Sequence, residues 1–150
     1  MGSDHRICRR SVCQSLSMKK TNLAWAAGFL DGEGHFRATR VQIVTRKNGK
    51  KGIKSYSYFQ IAVVQSHLAV LNRLKRIIGG AIQGPYHYPP SKPYWSMVVC
   101  TNAEKVFKKL FPYLSIVKRA QGKAAISQVI KRNARLERRL DKELYDDNAS

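Results

Sequence analysis

The chain has 150 residues, 43% of them hydrophobic, enough for one domain with a packed core and too few for two. Its 28 Lys and Arg stand against 9 Asp and Glu, a formal charge of +19, so a polyanion is a better partner than a mixed-charge protein surface. No apolar run approaches the ~18 residues that a bilayer span needs, and the first residues lack the apolar stretch of a secretory signal, which argues against a membrane or exported protein.

In chain order, residues 1–20 read as a flexible leader. Met1-Gly2-Ser3 resembles an expression remnant and Met18-Lys19-Lys20 a natural start, although the Arg and Ser content also resembles a transit peptide. Thr21 or Asn22 is suited to cap a helix with the body Leu23–Leu30, which Gly32 and Gly34 end by supplying backbone freedom. His35 to about Thr45 and Ile53–Val64 then read as two strands of a hairpin around Lys47-Asn48-Gly49-Lys50-Lys51-Gly52. On the second strand Phe59, Ile61 and Val63 share one face, and Lys54, Tyr56, Tyr58 and Gln60 the other. On the first, Phe36 and Ala38 are in one phase and Val41 and Ile43 in the opposite one, which predicts a β-bulge near Thr39 and Arg40.

Leu68, Leu71, Leu74 and Ile78 mark an amphipathic helix from His67 to Ile78, stopped by Gly79-Gly80. A second hairpin follows, Ala81–Tyr88 and Tyr94–Cys100 about a proline-rich turn, and then a helix Ala103–Leu110 capped at Thr101 or Asn102. After Phe111-Pro112-Tyr113 a basic helical region spans about Lys118 to Glu143, and the stretch Lys142 to Asn148 is expected to fray. The predicted class is α+β with the order αββαββα, one domain over residues 21–145 and a frayed tail at 146–150. Cys8, Cys13 and Cys100 are odd in number and lack CxxC spacing, so neither a disulfide framework nor a zinc site is expected, and a reducing intracellular compartment fits.

The chemistry gathers on the first helix. Ala24, Ala27, Gly28 and Asp31 form a stripe almost without bulk, which lets two backbones approach and predicts contact with a second copy of the helix; packing under a bulky neighbour within one domain is the alternative. Asp31 and Glu33 sit at the helix C-terminus, where the dipole disfavours a carboxylate by about 0.3–1 kcal/mol, so stability alone is a poor reason for them. In a pair of helices the two Glu33 carboxylates would also approach each other, a conflict that a divalent cation resolves. Hard oxygen ligands without His or Cys point to Mg²⁺, with Mn²⁺ or Ca²⁺ as other occupants, and metal-assisted phosphodiester hydrolysis follows.

Residues Ala26 to Gly34, AAGFLDGEG, resemble the LAGLIDADG motif of the homing endonucleases, and the αββαββα order over residues 22 to about 130 agrees. The resemblance implies a homodimeric, metal-dependent endonuclease of a long pseudo-palindromic DNA site, because one chain carries one motif. It assigns the metal to Glu33 with the Gly32 carbonyl, and makes Asp31 structural at the helix pair. By position it also implies catalytic roles for Gln65, as orderer of a water, and Lys118, as charge stabiliser. Gln65 reads equally as a solvated or capping residue before the next helix, and Arg119 competes with Lys118 by register. Ala26 and Glu33 depart from the common Leu and Asp of the motif.

A twisted antiparallel sheet can lie as a saddle in the major groove, where Arg and Gln distinguish base pairs. Between Gly34 and Ala103 the chain has no acidic residue. Arg37, Thr39, Arg40, Lys54, Tyr56, Tyr58 and Gln60 on the first hairpin, and Gln83, Tyr86, Tyr94 and Ser96 on the second, are the candidates for base contact. Lys47, Lys50, Lys51, Arg132 and Arg135 are the candidates for phosphates. The alternatives are an RNA-binding intron maturase or a catalytically silent DNA-binding protein of the same fold.

Overall fold

The computed structural model describes residues 19–47 and 50–148, without side chains at 45–47, 50–51, 53–54 and 140–148. The leader through Met18, with Cys8 and Cys13, the turn residues Asn48 and Gly49, and the last two residues of the expected tail lie outside the described residues, as do the side chains of Lys47, Lys50, Lys51 and Lys54.

Helix α1 spans Lys20–Glu33 and begins earlier than capping chemistry suggests. The amides of Asn22 and Leu23 both donate to the Lys19 carbonyl, so Thr21 and Asn22 lie inside the helix and no side chain caps it. Leu23, Ala26, Ala27 and Leu30 are buried at the i, i+3, i+4, i+7 spacing of a core face. This corrects the expected partner-facing stripe at Ala27, which is 0% exposed because it stands one turn from both Leu23 and Leu30. Gly34 ends the helix at φ −83°, ψ 150°, a conformation open to any residue. What glycine supplies there is room, since a Cβ would lie 2.7 Å from the Leu30 carbonyl oxygen.

Strands β1 (Gly34–Lys47) and β2 (Lys50–Gln65) form one uninterrupted antiparallel ladder from Gly34 opposite Val63 to Lys47 opposite Lys50. The bulge expected at Thr39 and Arg40 is therefore absent. Val41 and Ile43 continue the phase of Arg37 and Thr39, and Ile43 is 44% exposed because the outer hairpin extends past the core. Regular alternation also places Arg40 on the side of Phe36 and Ala38, away from Arg37 and Thr39.

Helix α2 (Leu68–Ile78) stops where Gly79 and Gly80 take φ values of 75° and 106°. Strands β3 (Ala81–Tyr86) and β4 (Tyr94–Val99) complete a four-stranded sheet in the order β1-β2-β4-β3. Helix α3 (Ala103–Leu110) follows, entered through a left-handed Asn102 whose side chain makes no cap bond, and a 3₁₀ turn at Phe111–Tyr113 leads to α4 (Ile116–Asn148). Helix α4 runs through Asn148, beyond the expected fraying at Lys142, on a stretch from Lys123 without Gly or Pro.

One face of the sheet is packed. Phe36, Phe59, Ile61, Val63, Met97 and Val99 join Leu30 of α1, Leu71 and Leu74 of α2, Val106, Phe107 and Leu110 of α3, and Ala125 and Val129 of α4 in one core. Phe107 stands edge-on to Phe36 and Phe59 at centroid distances of 5.2 and 5.6 Å. Strand β4 pairs with β2 only from Ile61 onward, which leaves the β2 edge at Ser57 without a strand neighbour. The Asn133 carboxamide of α4 takes that place: Ser57 N–H donates to its Oδ1 at 2.8 Å, and its Nδ2 donates to the Ser57 carbonyl at 2.9 Å. Among the described residues no helix is long and apolar enough to cross a membrane.

Candidate functional site

Glu33 is the last residue of α1 and is exposed. The final carbonyls of a helix, here including Gly32, lack intrahelical donors and form the negative end of the dipole, so they and the Glu33 carboxylate make an oxygen-rich, cation-seeking corner. A cation is already drawn there: Lys118 donates its Nζ to the carbonyl of Gly34, the residue after Glu33.

Asp31 holds Lys118 in that place through the start of α4. Both Asp31 carboxylate oxygens accept from the Ser115 amide at 3.1 Å, and Ser115 Oγ donates to Oδ1 at 3.0 Å. Ser115 Oγ in turn accepts from the Lys118 amide at 3.3 Å, the bond of an N-capping serine. The carboxylate thus faces the positive end of α4, which supplies the stabilising reason for Asp31 that the dipole of α1 alone does not. Arg119, the register competitor, is turned away, donating to the Pro112 carbonyl at 2.9 Å and standing over the Phe111 ring.

Gln65 ends β2 two residues past Val63, which pairs with Gly34, so Gln65 and Glu33 extend from the same end of the sheet. Its Oε1 accepts from the Ser66 amide at 2.9 Å and from Ser66 Oγ at 3.3 Å, and His67, not Gln65, stands at the N-cap of α2. On the outer side of α1, Ala24 and Gly28 are exposed and Asp31 is half-buried. A Cβ built at Gly28 or Gly32 meets nothing within 4 Å. The open small-residue face is therefore Ala24, Gly28 and Gly32, with Gly32 in the place expected for Ala27.

Among the described residues the second face of the sheet lies outside the main core cluster, with Ala62 its one buried apolar side chain. By strand register it carries Arg37 and Thr39 of β1, Tyr56, Tyr58 and Gln60 of β2, Tyr94 and Ser96 of β4, and Gln83 and Tyr86 of β3. Gln60, only 6% exposed, is fixed at its centre: its Oε1 accepts from Arg37 Nε at 2.7 Å and Thr39 Oγ1 at 3.0 Å, while its Nε2 approaches Cys100 Sγ at 3.5 Å. Beside it, burial first, then the neighbouring Cys100 and Tyr56, push the Tyr58 hydroxyl up to about 12, against the opposing pull of Arg37. Tyr86, Tyr94 and Tyr88 form an aromatic row at 5.5 and 6.3 Å between centroids.

Arg40, Arg132 and Arg135 do not join this surface. Arg40 bonds Ser55 Oγ at 3.1 Å on the helical side, which corrects its expected place beside Arg37 and Thr39; the phosphate candidates Arg132, bonded to the Ala38 carbonyl at 3.3 Å, and Arg135 lie in the same groove. Sequence reasoning missed Ser115, Cys100 and Asn133. Ser115, just before the α4 pattern, carried a legible capping signal; Cys100 and Asn133 take their roles from contacts distant in the chain, which no local pattern encodes.

Among the described residues no group of three or more His, Cys, Asp or Glu gathers to hold a metal. The donor chemistry of the α1 corner, one exposed carboxylate with backbone carbonyls, fits part of a hard-cation shell that needs oxygens from outside this chain.

A comparison with curated protein sequences gives no significant match. Among solved structures, the chain is similar to the homing endonuclease I-CvuI in complex with an I-CreI target in the presence of 2 mM Mg with the DNA not cleaved, at 27% identity and a TM-score of 0.50, covering 74% of this chain and 67% of that one. It is similar to I-CvuI in complex with its own target in the presence of 2 mM Ca, at 25% identity and a TM-score of 0.50, covering 75% and 68%. In fold it matches the homing endonuclease I-TnaI, at 21% identity and a TM-score of 0.52, covering 76% of each chain. The family model for the LAGLIDADG endonucleases matches residues 26–132, from the first residue of the motif on α1 into α4. With most of its length under that match, the chain belongs to the LAGLIDADG endonuclease family.

Proposed function

We propose that this protein is a site-specific, metal-dependent double-stranded DNA endonuclease acting as a homodimer inside the cell. The observation that carries this reading is the bond from Lys118 to the Gly34 carbonyl, one residue past the exposed Glu33 at the end of α1, beside a polar sheet face outside the core cluster. Two copies packed along Ala24, Gly28 and Gly32 would bring two such corners together, one for each strand of a pseudo-palindromic site.

The uncovered face lies in the major groove in this reading. Arg37, Thr39, Gln83 and Ser96 present donors and acceptors to base edges around the buried Gln60, and Tyr56, Tyr58 and Tyr94 add aromatic contact. The bonds that Arg37 and Thr39 make to Gln60 organise that set before DNA arrives. Lys47, Lys50, Lys51 and Lys54, at the hairpin tip, serve the phosphates and the groove edge.

Glu33 with the Gly32 carbonyl would hold a divalent cation, Mg²⁺ by ligand hardness, with Mn²⁺ or Ca²⁺ as substitutes. When bound, such an ion lowers the pKa of its water and offsets charge on the phosphoryl oxygens. Lys118, delivered by the Asp31–Ser115 contact, places an ammonium where the scissile phosphate accumulates charge. Gln65 turns from Ser66 to orient the attacking water.

The decisive test is Mg²⁺-dependent cleavage of a library of candidate sites by the wild type and by Glu33→Gln. Cleavage is expected to fall by at least ~10²-fold while the selected DNA is still bound; a mutant that cuts normally overturns the assignment. Gly28→Leu adds bulk where, among the described residues, nothing beyond the local helix backbone and the adjacent residues lies within 4 Å of a Cβ, so it should fold, sediment as a monomer and lose cleavage. A dimeric Gly28→Leu would remove α1 from the interface.

A further inference from the structure

On the helical side of the sheet, α4 and the outer part of the β1–β2 hairpin enclose an open groove of about 670 Å³ lined by Arg40, Ser57, Arg132, Arg135, Arg138 and Arg139. Strand register places it across the sheet from Arg37, Thr39 and Gln60, so it is not part of the surface assigned to duplex DNA. Five guanidinium groups share it, and no acidic side chain lines it among the described residues. Like charges gathered around one groove repel one another, which costs stability unless an anion joins them.

A second observation separates this groove from a merely basic helix face. Ser57 is 97% buried, being 3% exposed, and its Oγ has no hydrogen-bond partner although it lines the groove. Its main-chain N–H and carbonyl are both engaged by Asn133, which pins the residue and leaves the hydroxyl to the groove. A buried unpaired hydroxyl is costly, and an oxyanion can complete it. The arginines are partly held in advance: Arg40 by Ser55 Oγ, Arg132 by the Ala38 carbonyl and Arg138 by the Ala134 carbonyl. Planar guanidinium forks match phosphate oxygens in pairs, and the volume exceeds what one phosphate needs.

We infer that this groove is a second anion site that seats consecutive phosphate groups, those of a nucleic-acid strand or of a free polyphosphate, with Ser57 Oγ donating to one of them. The inference does not rest on the nuclease reading and holds equally for a chain that does not cut DNA.

Calorimetric titration of the full-length protein with inorganic tripolyphosphate tests it, using wild type, Ser57→Ala, the Arg135→Ala/Arg138→Ala/Arg139→Ala variant, and Arg37→Ala on the opposite face. Wild type and Arg37→Ala should bind alike. The triple variant, whose substitutions lie on exposed helix positions, should lose at least tenfold in affinity. Ser57→Ala, with charge unchanged, should lose roughly five- to tenfold. Circular dichroism confirms the folding of each, and Ser57→Cys, similar in size with a weaker donor, replaces Ser57→Ala if that variant unfolds. A single-stranded oligonucleotide that displaces tripolyphosphate identifies a nucleic-acid strand as the source; failure to displace identifies the free polyphosphate, and both support the site. Wild-type affinity in the Ser57 variant means diffuse attraction without a built site, and wild-type affinity in the triple variant means no site at all; either result overturns the inference. Loss of cleavage in Glu33→Gln bears on neither.

Discussion

The two faces of the sheet are woven from the same strands, residue alternating with residue, yet they obey different rules. On the helical face Phe36, Phe59, Ile61, Val63, Met97 and Val99 are nearly inaccessible and interchange only shape and apolar area. On the other, Gln60 is just as inaccessible but held by directional bonds from Arg37 and Thr39. Burial on the first face stabilises the fold; burial on the second organises polar groups that stay available to a ligand. A residue's depth therefore does not reveal its role, whereas the kind of contact does.

That contrast can be broken by substitution. Phe59→Ala empties a site flanked by Phe36 and Phe107 and should cost about 3–5 kcal/mol in urea denaturation. Loss of under 1 kcal/mol would mean that the core collapses around it. Gln60→Leu, close in volume, removes the shared acceptor of Arg37 and Thr39. It should shift stability by about 1 kcal/mol yet lose about 1–3 kcal/mol of discrimination at one base position in binding to a selected site. Asp31→Ala removes the partner of Ser115 at the start of α4 and should cost about 1 kcal/mol, with a larger proportional fall in cleavage than in DNA affinity because Lys118 is the group displaced.

The smallest effect is a titration. Folding raises the Tyr58 hydroxyl from 10.0 to about 12, so the folded state holds its proton more tightly and its contribution to stability is complete below pH 10. That contribution is lost as pH rises from 10 toward 12. Absorbance of tyrosinate should show a late-titrating component that is absent in Tyr58→Phe. A variant with an unchanged titration curve would remove Tyr58 from this account.

Helix α1, its acidic end and the order of elements were legible because they rest on local regularities: period near 3.6, period 2, and glycine stops. The Lys118 position was legible only through resemblance. The phase of β1 misled, since apolar Val41 and Ile43 usually mark a buried face and here sit beyond the reach of the core. Ala27 misled for a related reason: small residues on a helix do not say whether the close neighbour is the chain's own core or a partner.

The sequence by itself determined the charge, the αββαββα order, the faces of β2 and the acidic end of the first helix at Asp31 and Glu33, all properties of neighbours in the chain. Only the tertiary structure decided that Asp31 serves α4, that Lys118 and not Arg119 reaches the end of α1, and that Arg40, Arg132 and Arg135 gather away from Gln60. These depend on how α4 crosses the sheet, which is set by packing between residues as far apart as 84 and 94 positions, and such separations leave no periodic trace.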